Sequence, residues 1–348
     1  MTTNASDVGA RAELIARQRE YLFPSVGTYY KDPLVAVRAH GSWVEDADGR
    51  EYLDFFSGVL TTSLGHCHAE LLAAVQEQAA ALGHTSTLYV TAPQVEAAER
   101  LARLAPGSLK RSYFSNSGSE AVETAVMLAR LHTGRTEVIT VRHSYSGRTL
   151  LTAELTAQGS WRPLGGLAAG VRFAASPYSY RSPYGGGDAD VEAFAADLEE
   201  TILTTTTGKP AAFIAEPVLG VGGIIVPPPG YFQKAAEIIR RYGGLFIADE
   251  VQCGMARTGK WFAIEHWGVE PDILTVAKGI AGGYPAAATI TTDEIAASWK
   301  AKHFSTFGGN PVCMAAVCAT IDIMEREDAP GRAAARGAQL KAGLEALA

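Results

Sequence analysis

Two short apolar runs, and the residues that close them, constrain this chain more than any other feature. Within residues 244–279, Leu245-Phe246-Ile247-Ala248 ends in Asp249 and Glu250, and Ile273-Leu274-Thr275-Val276-Ala277 ends in Lys278. Apolar runs of this length without alternation suit strands buried on both faces, as in a parallel sheet. In open α/β sheets, ligand chemistry gathers just beyond the carboxyl ends of the strands. The runs therefore predict an acid and an amine facing one crevice. A lone lysine is nearly always solvated; Lys278 departs from that rule because it follows a wholly apolar strand.

A carboxylate and a lysine that meet over a bound ring suit pyridoxal 5'-phosphate (PLP). This cofactor needs a lysine for its Schiff base and an acid that keeps the ring nitrogen protonated, so that the ring acts as an electron sink. The stretch resembles the signature of the class III (omega-type) aminotransferases of fold type I. It has the apolar strand, Asp-Glu-Val at 249–251, Arg-Thr-Gly-Lys at 257–260, Pro-Asp at 271–272 and Ala-Lys-Gly at 277–279. The resemblance implies an α/β fold of type I, with a large domain built on a mostly parallel seven-stranded sheet flanked by helices. A smaller α+β domain accompanies it. By the same resemblance Asp249 would salt-bridge the pyridinium nitrogen and Gln252 would hydrogen-bond the phenolic oxygen. Lys278 would hold the cofactor and then shuttle the proton, a duty that burial suits by depressing its pKa.

Four other segments carry candidate cofactor contacts. Residues 111–116 read as a strand running into Ser117-Gly118-Ser119-Glu120 and a helix to about residue 132. Free N–H groups at such a helix start form an anion site, and the resemblance assigns it the cofactor phosphate. Ser117 with Glu120 equally fits a capping box, and the two readings are compatible. Residues 137–141 form a strand leading to residues 143–149, where the resemblance stacks Tyr145 on the cofactor and finds Ser146 in place of a usual histidine. Residues 211–215 form a buried strand ending in Glu216-Pro217 before a glycine-rich turn. The resemblance sets Glu216 over the pocket near Asp249 and Gln252; the plainer alternative is a solvated strand-end carboxylate. Residues 303–311 resemble a phosphate loop in which Thr306 would serve the neighbouring subunit's cofactor. That sharing implies a homodimer or a dimer of dimers.

Elsewhere, residues 41–54 read as a β-hairpin turning at Asp48-Gly49, residues 55–68 as a loop, and residues 158–188 as a loop-rich stretch. The expected division is 1–54 as the amino-terminal part of the small domain, 55–312 as the large PLP-binding domain, and 313–348 as a linking helix with the start of the carboxy-terminal small domain. Leu340, Leu344 and Leu347 share one helical face with no stop signal after them. The resemblance thus leads one to expect a longer carboxy-terminal part, and with it the arginine that receives a substrate carboxylate.

Among the 348 residues, 47% hydrophobic and 19% charged describe a packed globular protein. A formal net charge of −7 offers no basic footprint for nucleic acid or anionic lipid. No apolar run approaches the roughly 18 residues that span a bilayer, and the amino terminus lacks the apolar core of a signal peptide. These features lead to the expectation of a cytoplasmic protein. His66 and His68 have no third ligand at metal-binding spacing, so no metal is expected. The expected activity is transfer of an amino group from an amine or amino acid to a 2-oxo acid (pyruvate, glyoxylate or 2-oxoglutarate) by a ping-pong mechanism. Racemase, decarboxylase or aminomutase chemistry on the same frame is the alternative, as is a catalytically silent PLP-binding paralogue.

Overall fold

The computed structural model of the protein describes residues 5–186 and 189–347; Gly187 and Asp188 of the loop-rich stretch lie outside these, as does residue 348. A small antiparallel ribbon comes first: β1 (Ala36–His40), β2 (Trp43–Asp46) and β3 (Glu51–Leu53). The expected hairpin is β2–β3. Its turn is fixed by Asp46, whose Oδ1 accepts from the N–H groups of Asp48 and Arg50, both at 2.9 Å, while Gly49 takes φ +74°. The ribbon has one strand more than expected, because β1 pairs along β2.

The main sheet holds β4 (Arg111–Ser115), β5 (Val138–Val141), β6 (Val171–Ala174), β7 (Ala212–Ala215), β8 (Leu245–Asp249), β9 (Ile273–Val276) and β10 (Ala287–Thr291). Their spatial order is β4-β10-β9-β8-β7-β5-β6. β6, β5, β7, β8 and β9 are parallel, and β10 runs antiparallel to both its neighbours. The architecture is thus the expected α/β one, a mostly parallel seven-stranded sheet between helices.

Alternation along the strands explains the two layers of core. Phe213, Phe246 and Ala248 point to a cluster closed by Phe194, Phe232 and Ile239 of helices Ala189–Thr205 and Tyr231–Arg241. Ile214, Ile247 and Ile273 point the other way, onto Val122, Ala125 and Val126 of helix Gly118–Thr133. Both faces being covered is why the strands read as unbroken apolar runs. Truncating a central ring such as Phe246 to alanine should cost about 3–5 kcal/mol.

The parallel arrangement has one consequence for the site. The carboxyl ends of β5, β7, β8 and β9 share an edge, and the chain leaves them into the segments bearing Tyr145, Glu216, Asp249 and Lys278. A second surprise lies in the expected loop at 55–68. Ser57, Gly58, Val59 and Leu60 have φ of 53°, 58°, 61° and 62°, forming one left-handed helical turn.

Candidate active site

Asp249 and Thr275 are register partners on β8 and β9. Asp249 Oδ1 accepts from the Thr275 hydroxyl at 3.1 Å and from the Val251 N–H at 3.2 Å. Its Oδ2 has no protein donor among the described residues, and the side chain borders a cavity of about 370 Å³, within the usual range of small-molecule sites. Lys278 opens a turn directly after β9, with φ +46°, a conformation costly for a non-glycine residue. Its Nζ donates to Gln252 Oε1 at 2.9 Å, and both side chains line the same cavity. The acid and the amine expected to share a crevice do share it.

Glu216, just beyond β7, is not a solvated strand end. It is 5% exposed, and its two oxygens accept from the N–H groups of Tyr145 and Gly220, each at 2.9 Å. Tyr145 stands in the cavity wall with its ring edge-on to Trp161, centroids 5.8 Å apart. Glycine at 220 leaves the Gln252 amide its place, since a Cβ there would collide with it.

At the start of helix Gly118–Thr133 the capping reading holds in part. Ser117 Oγ accepts from the Glu120 N–H at 3.3 Å, while the Glu120 carboxylate reaches back to the Asn116 N–H at 2.8 Å. This is a variant of the capping box, shifted by one residue at its return arm. The cap leaves the N–H groups of Gly118 and Ser119 without acceptors in the described structure, as expected for the first helical positions. Both residues line the cavity, and a Cβ at Gly118 would come within 2.6 Å of Val251.

Thr306 is not brought to this cavity. It lies on an exposed loop of its own chain. Glu250, named with Asp249 at the strand end, turns away from the crevice: its oxygens accept from the Ile264 N–H at 2.7 Å and the Cys253 thiol at 3.2 Å. Among the wall residues, Arg148 and the segment Gly283-Tyr284-Pro285-Ala286 before β10 escaped the sequence reading. Arg148 follows Tyr145 by three positions and has no carboxylate partner among the described residues; proximity to Tyr145 is its only signal in the sequence. Thr61 joins the wall from the expected loop at 55–68, just after the left-handed turn.

Burial governs the electrostatics. It pushes the Asp249 carboxyl up to about 6 against the pull of the Val251 N–H, Lys278 and Thr275. It pushes Glu216 up to about 8, helped by the neighbouring Asp249 and opposed by two N–H donors and Lys278. Glu250 rises to about 7 for the same reason. The Lys278 amine is lowered by burial, although Asp249 and Glu216 both favour its charged form. The site thus holds more buried acid than the lysine alone neutralises, and a cationic ring beside Asp249 would relieve it.

The family model described as "Aminotransferase class-III" matches residues 27–348. The chain is 40% identical over 335 residues to alanine–glyoxylate aminotransferase 2 homolog 2, mitochondrial, of Arabidopsis thaliana, covering 96% of this chain and 69% of that protein. Against the acetylornithine aminotransferase of Methanothermobacter thermautotrophicus, identity is 40% over 327 residues, covering 93% of this chain and 77% of the other. The crystal structure of an amine transaminase from an uncultivated Pseudomonas species, in its PLP-bound form, superposes with a TM-score of 0.87 at 36% identity. It covers 92% of this chain and 78% of that one.

The chain belongs to the class III aminotransferases. Enzymes of this family use PLP, and the residues present suit that group. An acid with one free oxygen, a buried lysine and a helix start with two free N–H groups converge on one cavity. Glycines at 118 and 220 leave Val251 and Gln252 of the cavity wall in place, which a Cβ at either position would displace. Among the described residues no helix is long and apolar enough to cross a membrane.

Proposed function

We propose that this class III aminotransferase moves an amino group from an amine or amino acid to a 2-oxo acid, with pyruvate, glyoxylate or 2-oxoglutarate as acceptor. The reaction runs in two half-reactions, the donor leaving as its oxo acid before the acceptor arrives. The observation that carries this reading is the convergence of Asp249, Gln252 and Lys278, from two adjacent strand ends, on one cavity.

When bound, PLP supplies an electron sink conjugated to the reacting carbon. Lys278 would hold the cofactor and, once released, would carry the proton at Nζ to and from the substrate carbon, a duty that its burial-lowered pKa suits. Asp249 would hold the ring nitrogen, with Oδ1 anchored by Thr275 and Val251. Gln252 would hold the phenolic oxygen and Tyr145 would pack on the ring, its backbone N–H fixed by Glu216. Gly118 and Ser119 present the phosphate site, capped by Ser117.

The working unit in this proposal is a homodimer or a dimer of dimers in which Thr306 serves the other subunit's site. Supporting it, exposed apolar residues Leu88, Tyr89 and Val90 lie beside Phe304 and Phe307 on loops tied by Thr87 and Ser305. Surfaces of this kind mark protein contacts. The domain division at 1–54, 55–312 and 313–348 also belongs to the proposal, supported by β3 ending just before residue 54.

The test is direct. PLP-loaded protein is mixed with L-alanine or N-acetylornithine and each of the three oxo acids, and products are followed by chromatography. New oxo acid with parallel initial-rate lines supports the reading. Racemised or decarboxylated donor without amino transfer replaces it with other PLP chemistry.

A further inference from the structure

The Arg-Thr-Gly-Lys element at 257–260 belongs to the recognised signature, yet none of its side chains lines the cavity that holds Lys278. Arg257 instead reaches the left-handed turn. Its Nη2 donates to the Leu60 carbonyl at 2.7 Å and to the Ser63 hydroxyl at 3.0 Å. None of the ion pairs in the described structure involves Arg257, and burial lowers its pKa. A partly buried guanidinium held by two neutral acceptors rather than a carboxylate gives up solvation for that contact, so what it holds bears on its role.

What it holds is strained. Glycine adopts positive φ freely, but Ser57, Val59 and Leu60 do so against their Cβ atoms, and a β-branched valine is the least tolerant. Such conformations persist only where the surroundings over-determine them, and they cluster at functional sites. Two anchors enclose this turn. On its amino side, Asp54 Oδ1 accepts from the N–H groups of Phe56 and Ser57, both at 2.8 Å, while its Oδ2 lies 2.7 Å from His66 Nε2. On its carboxyl side stands Arg257. Beyond it, Ser63 packs on the Lys278 turn so closely that a Cβ at Gly279 would sit 3.0 Å from Ser63 Oγ. Between the anchors lies Thr61, part of the cavity wall, its N–H bonded to the Ser57 carbonyl at 2.7 Å.

We infer that Arg257 is a positioning residue: it tethers the left-handed turn 57–60 to the Lys278 side of the cavity and so sets where Thr61 stands in the wall that meets the substrate. The substrate half of this inference rests on the aminotransferase reading above; the tether itself does not. Without the guanidinium, Ser57, Val59 and Leu60 relax toward ordinary φ, Thr61 moves, and substrate fit suffers more than the proton transfer at Lys278.

The test pairs amide hydrogen exchange with half-reaction kinetics on the holoenzyme. Arg257→Met should raise exchange of the peptide covering 57–63 by about tenfold, as loss of a charge-assisted hydrogen bond implies. The peptide covering β8 should be unaffected. KM for the amino donor should rise by a similar factor, with a smaller change in kcat. Arg257→Lys, which keeps one donor, should recover part of both effects. Val59→Gly in the Arg257→Met background should restore protection, because glycine accepts the left-handed turn without help. Unchanged exchange at 57–63, with or without a KM effect, overturns the tether. So does a failure of Val59→Gly to restore protection, or a rise that includes β8 in both Arg257 variants. A wild type that binds PLP but transfers no amino group would sink the functional reading while leaving the exchange comparison to judge Arg257.

Discussion

Replacing Asp249 with asparagine tests the electrostatics of the site apart from catalysis. The side chain is 3% exposed, and its carboxyl sits at about 6 rather than the 3.8 of a free aspartate. The folded-state pKa is raised, so the stabilisation it brings is present below the unfolded value and is lost as pH rises through the folded one. The PLP-free protein therefore loses this contribution between about pH 4 and pH 6. A difference of about 2 units corresponds to about 3 kcal/mol at neutral pH. Asparagine is nearly isosteric, and its Oδ1 can still accept from Thr275 and Val251, so Asp249→Asn removes the charge with little change in packing. It also relieves Glu216, whose carboxyl Asp249 pushes upward. Thermal melts of PLP-free wild type and variant should coincide only below about pH 4, where the carboxyl is protonated in both states. By pH 7.5 the variant should melt about 4 °C higher, given the unfolding entropy of a chain this long. Added PLP should reverse the order, since only the carboxylate pairs with a ring N–H. A melting gap that does not change with pH would refute the claim that burial destabilises this carboxylate.

Gly220→Ala should drive Gln252 off Lys278 and lower kcat/KM by about ten- to a hundredfold, the range for losing a hydrogen bond to a charged group. Steady-state kinetics with the best donor found would check it. Thr275→Val removes the hydroxyl donor from Asp249 Oδ1 and should weaken PLP binding by about tenfold, measured by fluorescence titration. Ser117→Ala removes the helix cap and should cost about 1 kcal/mol in urea unfolding.

The chemistry at the strand ends was legible because β8 and β9 are buried on both faces, which leaves Asp249 and Lys278 as abrupt charges after unbroken apolar runs. Gln252, Glu216 and the Ser117–Ser119 helix start were reachable in the same way, each lying within a few residues of such an end. β10 was not: Ala287–Thr291 is small and half polar, and its antiparallel place between β4 and β9 depends on tertiary pairing. β6 is short and follows a long irregular stretch, so no pattern announces it. The left-handed turn at 57–60 escaped because serine, valine and leucine are residues that avoid such a conformation; Arg257, some two hundred positions away in the chain, helps to hold it. Arg148 illustrates a different gap. Its spacing from Tyr145 is plain, but only the folded cavity shows that the residue stands in the wall.

The central claim is that Lys278 and Asp249 grip one heterocycle between them. The most direct measurement is the absorbance spectrum of the purified protein after incubation with PLP and removal of excess. The account predicts a visible band in the wild type that shifts on adding an amino donor and is absent in Lys278→Ala. A colourless wild type, or a band that survives in Lys278→Ala, would contradict it.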